Sequence, residues 1–164
     1  MNEANRKQRN TDRIAELWPS FGQKIRAVIE ALEAEGLRPR IQDAWRSPQD
    51  QLKAFNTGHS QLKFGFHNVT GANGKKESLA VDVLDDNKPL NIGTEFLLHL
   101  AAAAEAQGLT TGIRWKVPAN LVKGIDDAIA NEDWEAPVKV GWDPTHVQPN
   151  GITPSEAKAG KRPA

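Results

Sequence analysis

Apolar residues recur at helical spacing in several parts of the chain. The clearest stripe predicts a helix from Ser20 to Glu35, with Ser20 as its cap, Gln23 as the capping-box partner and Gly36 after its end. Its apolar positions are Phe21, Ile25, Val28, Ile29 and Leu32. A second helix is predicted from Pro48 to Asn56, because proline after Ser47 suits the first helical position. A third helix, rich in Leu and Ala, is predicted to be capped by Thr94 and to stop at Gly108, and a fourth runs from Pro118 to Ala130.

Alternation of apolar and polar residues predicts strands between these helices. Leu79 to Leu84 is the clearest, because Val81 and Val83 would share one face while Asp82 lies on the other. The other predicted strands are Arg40 to Trp45, Thr111 to Val117 and Val138 to Trp142. The pattern from Ser60 to His67 is ambiguous, with an extended segment as one interpretation, and Thr70 to Gly74 is a turn region. This mixture predicts an α+β fold, a small antiparallel sheet flanked by helices in a single domain.

The two ends of the chain are polar. Residues 1–10 and 153–164 contain few apolar groups, so we expect a flexible N-terminus and a flexible tail around one domain at residues 11–152. A length of 164 residues also suits one domain. No internal repeat is visible.

Composition counts against several function classes. Lys plus Arg and Asp plus Glu both number 21, so the basic excess typical of nucleic-acid binding is missing and we expect no nucleic-acid partner. No stretch approaches the ~18 apolar residues of a membrane span, and residues 1–10 lack the apolar core of a secretory signal. We therefore expect a protein made in a cytoplasm, without stable membrane association. We also expect a monomer.

Cysteine is absent, which excludes disulfides, thiolate metal sites and a cysteine nucleophile. Any metal site must therefore use the four histidines and the carboxylates. His59 lies in a turn and is expected in an exposed loop, although it could line a cleft. His99 lies on a Leu-rich helix far from other ligand types and is expected to be structural. His67 and His146 are the remaining candidates.

Carboxylates accompany both remaining histidines. A Gly-rich turn separates His67 from the strand carrying Asp82, so a folded-back loop can bring the two side chains together. Asp143 precedes His146 by three residues, which allows one to hold a metal while the other faces its water. Two imidazoles and one carboxylate suit a catalytic zinc site. Spacing alone leaves the ordinary alternatives open, namely surface residues and an Asp-Pro turn.

Five short motifs resemble those of a known family. They are Ala44-Trp-Arg-Ser-Pro-Gln-Asp-Gln51, Gly58-His-Ser60, Phe66-His-Asn-Val-Thr-Gly71, Ala80-Val-Asp-Val83 and Gly141-Trp-Asp-Pro-Thr-His-Val147. In this order, over roughly residues 20–148, they resemble the zinc peptidases that include D-alanyl-D-alanine carboxypeptidases and dipeptidases and L-alanyl-D-glutamate endopeptidases, with the phage endolysin-like branch nearest. Each motif alone is weakly specific, but the ordered set is specific.

The resemblance implies a peptidoglycan peptidase with one Zn²⁺ ion held by His67, Asp82 and His146. It implies that Asp143 is the catalytic acid and base. It gives Arg46 a role in binding substrate or stabilising the charged intermediate, with a structural salt bridge as the alternative. Ser60, Gln51 and Trp142 are expected near the substrate. The implied site of action is the cell wall, in the periplasm or outside.

Two departures from the family pattern favour L-alanyl-D-glutamate cleavage. The segment between His67 and Asp82 is longer than in many members, and Asp143 stands where many have glutamate. The alternatives are a D-alanyl-D-alanine carboxypeptidase and, in another class, a non-catalytic wall-binding module. The stretch Lys116 to Pro137 looks like an insertion that forms either a wall of the groove or a surface helix. Asp85 and Asp86 could bind a second cation, although a solvated strand end is preferred.

Overall fold

The computed structural model describes every residue from Met1 to Ala164. Six α-helices and four strands follow one another along the chain, with two short 3-10 turns at Phe66–Asn68 and Ala72–Gly74. The elements are α1 (Glu3–Ile14), α2 (Pro19–Ala34), β1 (Pro39–Asp43), α3 (Pro48–Asn56), β2 (Val81–Asp85), α4 (Thr94–Ala106), β3 (Leu109–Gly112), α5 (Ala119–Ala130), β4 (Asp143–Pro149) and α6 (Pro154–Lys158).

The four strands form one antiparallel sheet in the order β1-β2-β4-β3. The predicted α+β class, with a small antiparallel sheet flanked by helices, is confirmed. Alternation within the strands divides the sheet into two faces. Val81, Val83 and Val147 are fully buried and belong to the main core cluster, whereas Asp82 and His146 alternate with them and lie on the opposite face.

Helices α2 and α4 supply most of the remaining core. The predicted stripe on α2 is buried along its whole length, and α4 is buried over most of its surface because it packs against α2, β3 and β4. The starts of both helices differ from the prediction. Helix α2 begins at Pro19 without a side-chain cap, since proline already fixes a helical φ angle at the first position. Helix α4 is preceded by Gly93, so Thr94 is its first residue rather than its cap.

Two strands lie elsewhere than the sequence indicates. The predicted strand Val138 to Trp142 is irregular, and regular pairing begins only at Asp143. The predicted strand Thr111 to Val117 is largely a turn, and β3 lies earlier, at Leu109–Gly112. Both segments keep an apolar alternation although they are not paired as regular strands. The reason is that the turn after β3 packs against the segment before β4.

The N-terminal segment differs from the expected flexible end because it forms α1 and covers the edge strand β1. Asn10 accepts a hydrogen bond from the Ile41 amide at 2.8 Å and donates to the Pro39 carbonyl at 3.0 Å. Arg6 also donates to the Pro39 carbonyl, at 2.7 Å, and is 1% exposed. Polar side chains therefore satisfy backbone groups that an edge strand would leave unpaired.

The C-terminal segment also packs against the domain. Thr153 and Glu156 form a reciprocal capping box at the start of α6, and Ala157 is buried. The Pro163 carbonyl accepts a hydrogen bond from the Trp18 indole at 2.9 Å, and the Arg162 guanidinium pairs with Glu77. No helix combines the length and the apolar character that crossing a membrane would require.

Candidate metal centre

Strand pairing brings Asp82 and His146 together. The two residues lie directly opposite each other in the antiparallel pair β2–β4, so both side chains leave the same face of the sheet. The Nδ1 atom of His146 lies 3.5 Å from the nearer Asp82 carboxylate oxygen. The other ring nitrogen, Nε2, lies 3.0 Å from the side-chain oxygen of Gln148, two residues along the same strand. That oxygen only accepts hydrogen bonds, so a neutral ring that donates from Nε2 leaves the Nδ1 lone pair free for a metal ion, whereas a protonated ring donates from Nδ1 to Asp82 as well.

His67 reaches the same place from a loop held against the end of β1. The Arg46 amide donates to the His67 carbonyl at 2.9 Å, and the Asn68 side chain donates to the Arg46 carbonyl at 2.9 Å. The Nδ1 atom of His67 donates to the Ala44 carbonyl at 2.7 Å. The Nε2 atom is then directed at the second Asp82 oxygen, at 3.4 Å.

The three side chains form a compact group of possible metal ligands. One ligand atom from each of His67, Asp82 and His146 lies within 4.8 Å of the other two. Each imidazole has its second nitrogen occupied by an oxygen acceptor, which fixes the ring and directs the free nitrogen inward. The group could therefore hold a metal ion.

The charges of the group are strongly coupled. Burial on its own would lower the pKa of His67, but the hydrogen bond and charge of Asp82 outweigh it, so the pKa of His67 is raised. Burial would raise the pKa of Asp82, but hydrogen bonds from His146 and His67 outweigh it, so the pKa of Asp82 is lowered. A metal ion would take the place of the proton on His67, which makes metal binding weaker in acid.

Asp143 lies beside this group at the start of β4. Its carboxylate is 3.9 Å from Nδ1 of His146 and its side chain is 32% exposed. Burial is the largest influence on the pKa of Asp143, and together with the negative charge of Asp82 it raises that pKa despite the opposing charges of His146, His67 and Arg46. The carboxylate is therefore a better proton acceptor than an ordinary aspartate.

Arg46 belongs to a hydrogen-bonded chain along one side of the group. Its guanidinium donates to Asp43 at 2.8 Å and to the Gln51 side-chain oxygen at 3.1 Å. Gln51 is 3% exposed, and its amide donates to Ser60 at 2.8 Å and to the Leu62 carbonyl at 2.7 Å. Arg46 thus makes a salt bridge, as the structural alternative expects, while its side chain also lines the cleft.

A cleft of about 520 Å³ opens over the group. It brings together every residue that the sequence singled out for the site: His67, Asp82, His146, Asp143, Arg46, Gln51, Ser60 and Trp142. Trp142 is 51% exposed. His59 also lines the cleft from its exposed loop, whereas the sequence favoured a loop away from it.

The other residues considered as ligands or as parts of the groove make packing contacts and ion pairs within the fold. His99 is buried and stacks on Trp134, with 4.1 Å between ring centroids. Asp86 is not a solvated strand end, because it is buried and pairs with Arg38 and Arg40 at 3.0 Å each. No residue from Val117 to Pro137 lines the cleft, although Lys116 lies over the Trp142 ring at its rim. Helix α5 packs on α4, so most of this stretch is a surface helix rather than a groove wall.

Two residues of the site were missed by sequence reasoning. Gln148 could have been found, because residues two apart on a strand share a face and His146 was already a candidate. Trp115 could not have been found from the sequence, since it was expected within a strand and reaches the cleft only through the turn after β3. Its ring centroid lies 5.4 Å from that of His146.

Comparisons with known proteins identify a structural neighbour. No protein-family model and no curated protein match the sequence. Among solved structures, the L-Ala D-Glu endopeptidase ChiX of Serratia marcescens is similar, with a TM-score of 0.54 and 18% sequence identity over 87% of this chain and 86% of that chain. The chain therefore shares the fold of this endopeptidase over nearly its whole length.

Proposed function

We propose that the protein is a zinc metallopeptidase that hydrolyses the L-alanyl-D-glutamate bond of peptidoglycan stem peptides. The observation that carries the proposal is the group of His67, Asp82 and His146 at the floor of a cleft, with Asp143 beside it. The fold shared with an L-Ala D-Glu endopeptidase supports the substrate class. Such an enzyme would serve as a phage endolysin or as a bacterial cell-wall lytic enzyme, acting in the periplasm or outside.

The donor atoms fit zinc. Two imidazole nitrogens and one carboxylate oxygen are a typical catalytic donor set, in which a fourth position stays open for water. Bonds of about 2.0–2.2 Å in a tetrahedron place neighbouring ligand atoms roughly 3.3 Å apart. The Asp82 carboxylate lies 3.4 Å from the facing nitrogen of His67 through one oxygen and 3.5 Å from that of His146 through the other. One ligand atom from each residue lies within 4.8 Å of the other two, so the three side chains would draw together around a zinc ion. When bound, zinc would act as a Lewis acid that activates water and polarises the substrate carbonyl.

Asp143 would move the proton during hydrolysis. Its carboxylate accepts a proton from the attacking water and returns it to the departing amine nitrogen, so no proton is gained or lost over the cycle. The raised pKa of Asp143 favours the first of these steps, because a more basic carboxylate accepts the proton more readily. Aspartate is one methylene shorter than glutamate, and the start of β4 holds it within 3.9 Å of the His146 ring.

Arg46 would bind the negative charge of the substrate. A guanidinium stays protonated and offers several donors to a carboxylate or an oxyanion. Gln51 and Ser60 would keep Arg46 in place, since Gln51 joins the guanidinium to the loop at residues 60–62. Trp142 would border the bound substrate from the exposed rim of the cleft.

Digestion of purified peptidoglycan, followed by mass spectrometry of the fragments, tests the proposal. We expect new fragments with N-terminal D-glutamate. Free D-alanine would instead indicate a carboxypeptidase on the same scaffold. Binding to the wall without any released fragment would indicate a non-catalytic module and would refute the proposal. Metal analysis of the purified protein should give one zinc per chain, and His67→Ala or His146→Ala should abolish it.

A further inference from the structure

Two tryptophans, one exposed and one half-buried, form an aromatic surface at one end of the cleft. Trp115 and Trp142, which we call the aromatic shelf, lie with ring centroids 6.1 Å apart and planes 35° apart. The Lys116 ammonium lies 5.2 Å from the centre of the Trp142 ring. Trp142 remains 51% exposed despite these neighbours. A large aromatic side chain held in water beside a candidate catalytic centre is typical of a binding surface.

The backbone under the shelf is rigidly built. Trp142 donates its amide to the Trp115 carbonyl at 3.1 Å, which joins the turn after β3 to the segment before β4. Gly141 allows this approach, because a side chain there would collide with the backbone of Gly112 and Trp115. Lys116 has a φ angle of +59°, an unfavourable conformation for a residue with a side chain. The close contact therefore fixes the backbone that carries both indoles.

The strand order places the shelf and Arg46 on opposite sides of the candidate metal centre. Arg46 follows β1 and Trp115 follows β3, which are the two edge strands, whereas Asp82 and His146 lie on the two central strands. A substrate that crosses the centre therefore meets a cation on one side and an aromatic surface on the other. In a stem peptide the free carboxylates lie on the D-glutamate side of the scissile bond, so charge complementarity directs that side toward Arg46.

We propose that the aromatic shelf binds the N-acetylated amino sugar that precedes the stem peptide; this inference rests on the proposed function. L-alanine and the lactyl group that joins it to the sugar each span roughly 3–4 Å, so the pyranose ring begins about 7 Å from the scissile bond. The ring centroids of His146 and Trp115 lie 5.4 Å apart, and those of Trp115 and Trp142 lie 6.1 Å apart. The two indoles therefore lie at the distance from the centre at which the sugar would begin. The C–H face of a pyranose carries partial positive charge and stacks on the negative face of an indole. The Lys116 ammonium offers donors to the hydroxyl or acetamido oxygens.

A binding measurement tests the shelf without depending on hydrolysis. The probe is N-acetylmuramoyl-L-alanine, added to the zinc-loaded protein while the five tryptophan indole N–H signals are followed by NMR, with L-alanine alone as the matched probe. We expect the sugar-bearing probe to shift the signals of Trp115 and Trp142, while the remote indoles of Trp18 and Trp134 stay unchanged. Absence of a selective shift overturns the inference, whether or not the protein cleaves peptidoglycan.

Kinetics give the second test, on a muropeptide and on the same peptide without sugar. For Trp142→Ala we expect the ratio of kcat/KM between the two substrates to fall about tenfold, while Trp142→Phe keeps most of the ratio. Leu90→Ala, at a fully exposed position outside the cleft, serves as the control. Equal losses on both substrates would mean that the shelf binds peptide or supports the fold, and would refute the sugar site. Failure of wild type on both substrates would refute the proposed function itself.

Discussion

Replacing Asp82 by asparagine is the sharpest test of the candidate metal centre. Asparagine has nearly the same shape, so the β2–β4 pairing and the neighbouring core should persist. The change removes the only negative charge among the three candidate ligands, whose atoms lie within 4.8 Å of one another. The predicted consequence is loss of zinc binding in a folded protein.

The magnitude follows from linkage between binding and unfolding. At free zinc a thousandfold above its dissociation constant, binding stabilises the folded state by about 4.1 kcal/mol. For a chain of this size each kcal/mol moves the melting temperature by roughly 2–4 °C, so zinc should raise the wild-type Tm by about 8–16 °C. The histidines are already oriented by Ala44 and Gln148, so little of this energy is spent on rearrangement.

The assay is thermal unfolding of chelator-treated protein, with and without added zinc. Wild type should show the full upward shift, and Asp82→Asn should show almost none. The matched control is Asp143→Asn, which removes a nearby carboxylate that we place outside the ligand set and should therefore keep the shift. An equal zinc shift in wild type and Asp82→Asn, or no shift in wild type, would refute the proposed ligand set.

Four further predictions concern the same residues and the fold. Asp143→Asn should retain zinc and lower kcat by about 10²–10⁴-fold, and full activity would remove Asp143 from its role. Gln51→Leu should lower kcat/KM by about 10–100-fold at unchanged zinc content, because Arg46 loses its support; unchanged kinetics would count against that positioning role. Asn10→Ala should cost about 1–3 kcal/mol in denaturant unfolding by leaving the Ile41 amide unpaired, whereas exposed Asn5→Ala on the same helix should not. In metal-free protein the lowered pKa of Asp82 stabilises the fold above about pH 4, and the raised pKa of His67 stabilises it below about pH 6.5. The contribution of the pair to the free energy of unfolding should therefore be largest between these two pH values, and it should vanish in Asp82→Asn.

The chain ends show where sequence patterns fail. Helix α1 was not predicted because it packs through polar groups: Arg6 and Asn10 are buried, and both bond to the backbone of β1. Hydrophobic periodicity cannot detect such a helix, since its partner is a row of unpaired amides and carbonyls rather than an apolar face. The C-terminal helix did carry a local signal, the capping box of Thr153 and Glu156, which its polar surroundings obscured.

The strand prediction for the residues after β3 was wrong for a different reason. Residues 111–117 read as a strand by composition, but the chain leaves the sheet at Gly112, where close packing against the Asp143 backbone leaves no room for a side chain. That approach is a contact between segments distant in sequence. It determines the position of Trp115, and with it one wall of the cleft.

The sequence by itself determined the elements with strong local signals and the identity of the chemical groups. The α2 stripe, the Ser47-Pro48 helix start and the alternation around Asp82 depend on residues a few positions apart, so a linear pattern captures them. The absence of cysteine likewise limited any metal site to histidine and carboxylate. Only the tertiary structure decided the strand order, the Asp82–His146 register, the cover of β1 by α1 and the meeting of Trp115 with Trp142. These features depend on pairing and packing between segments that are distant in the sequence. A local pattern of residues carries no information about the free energy of such contacts.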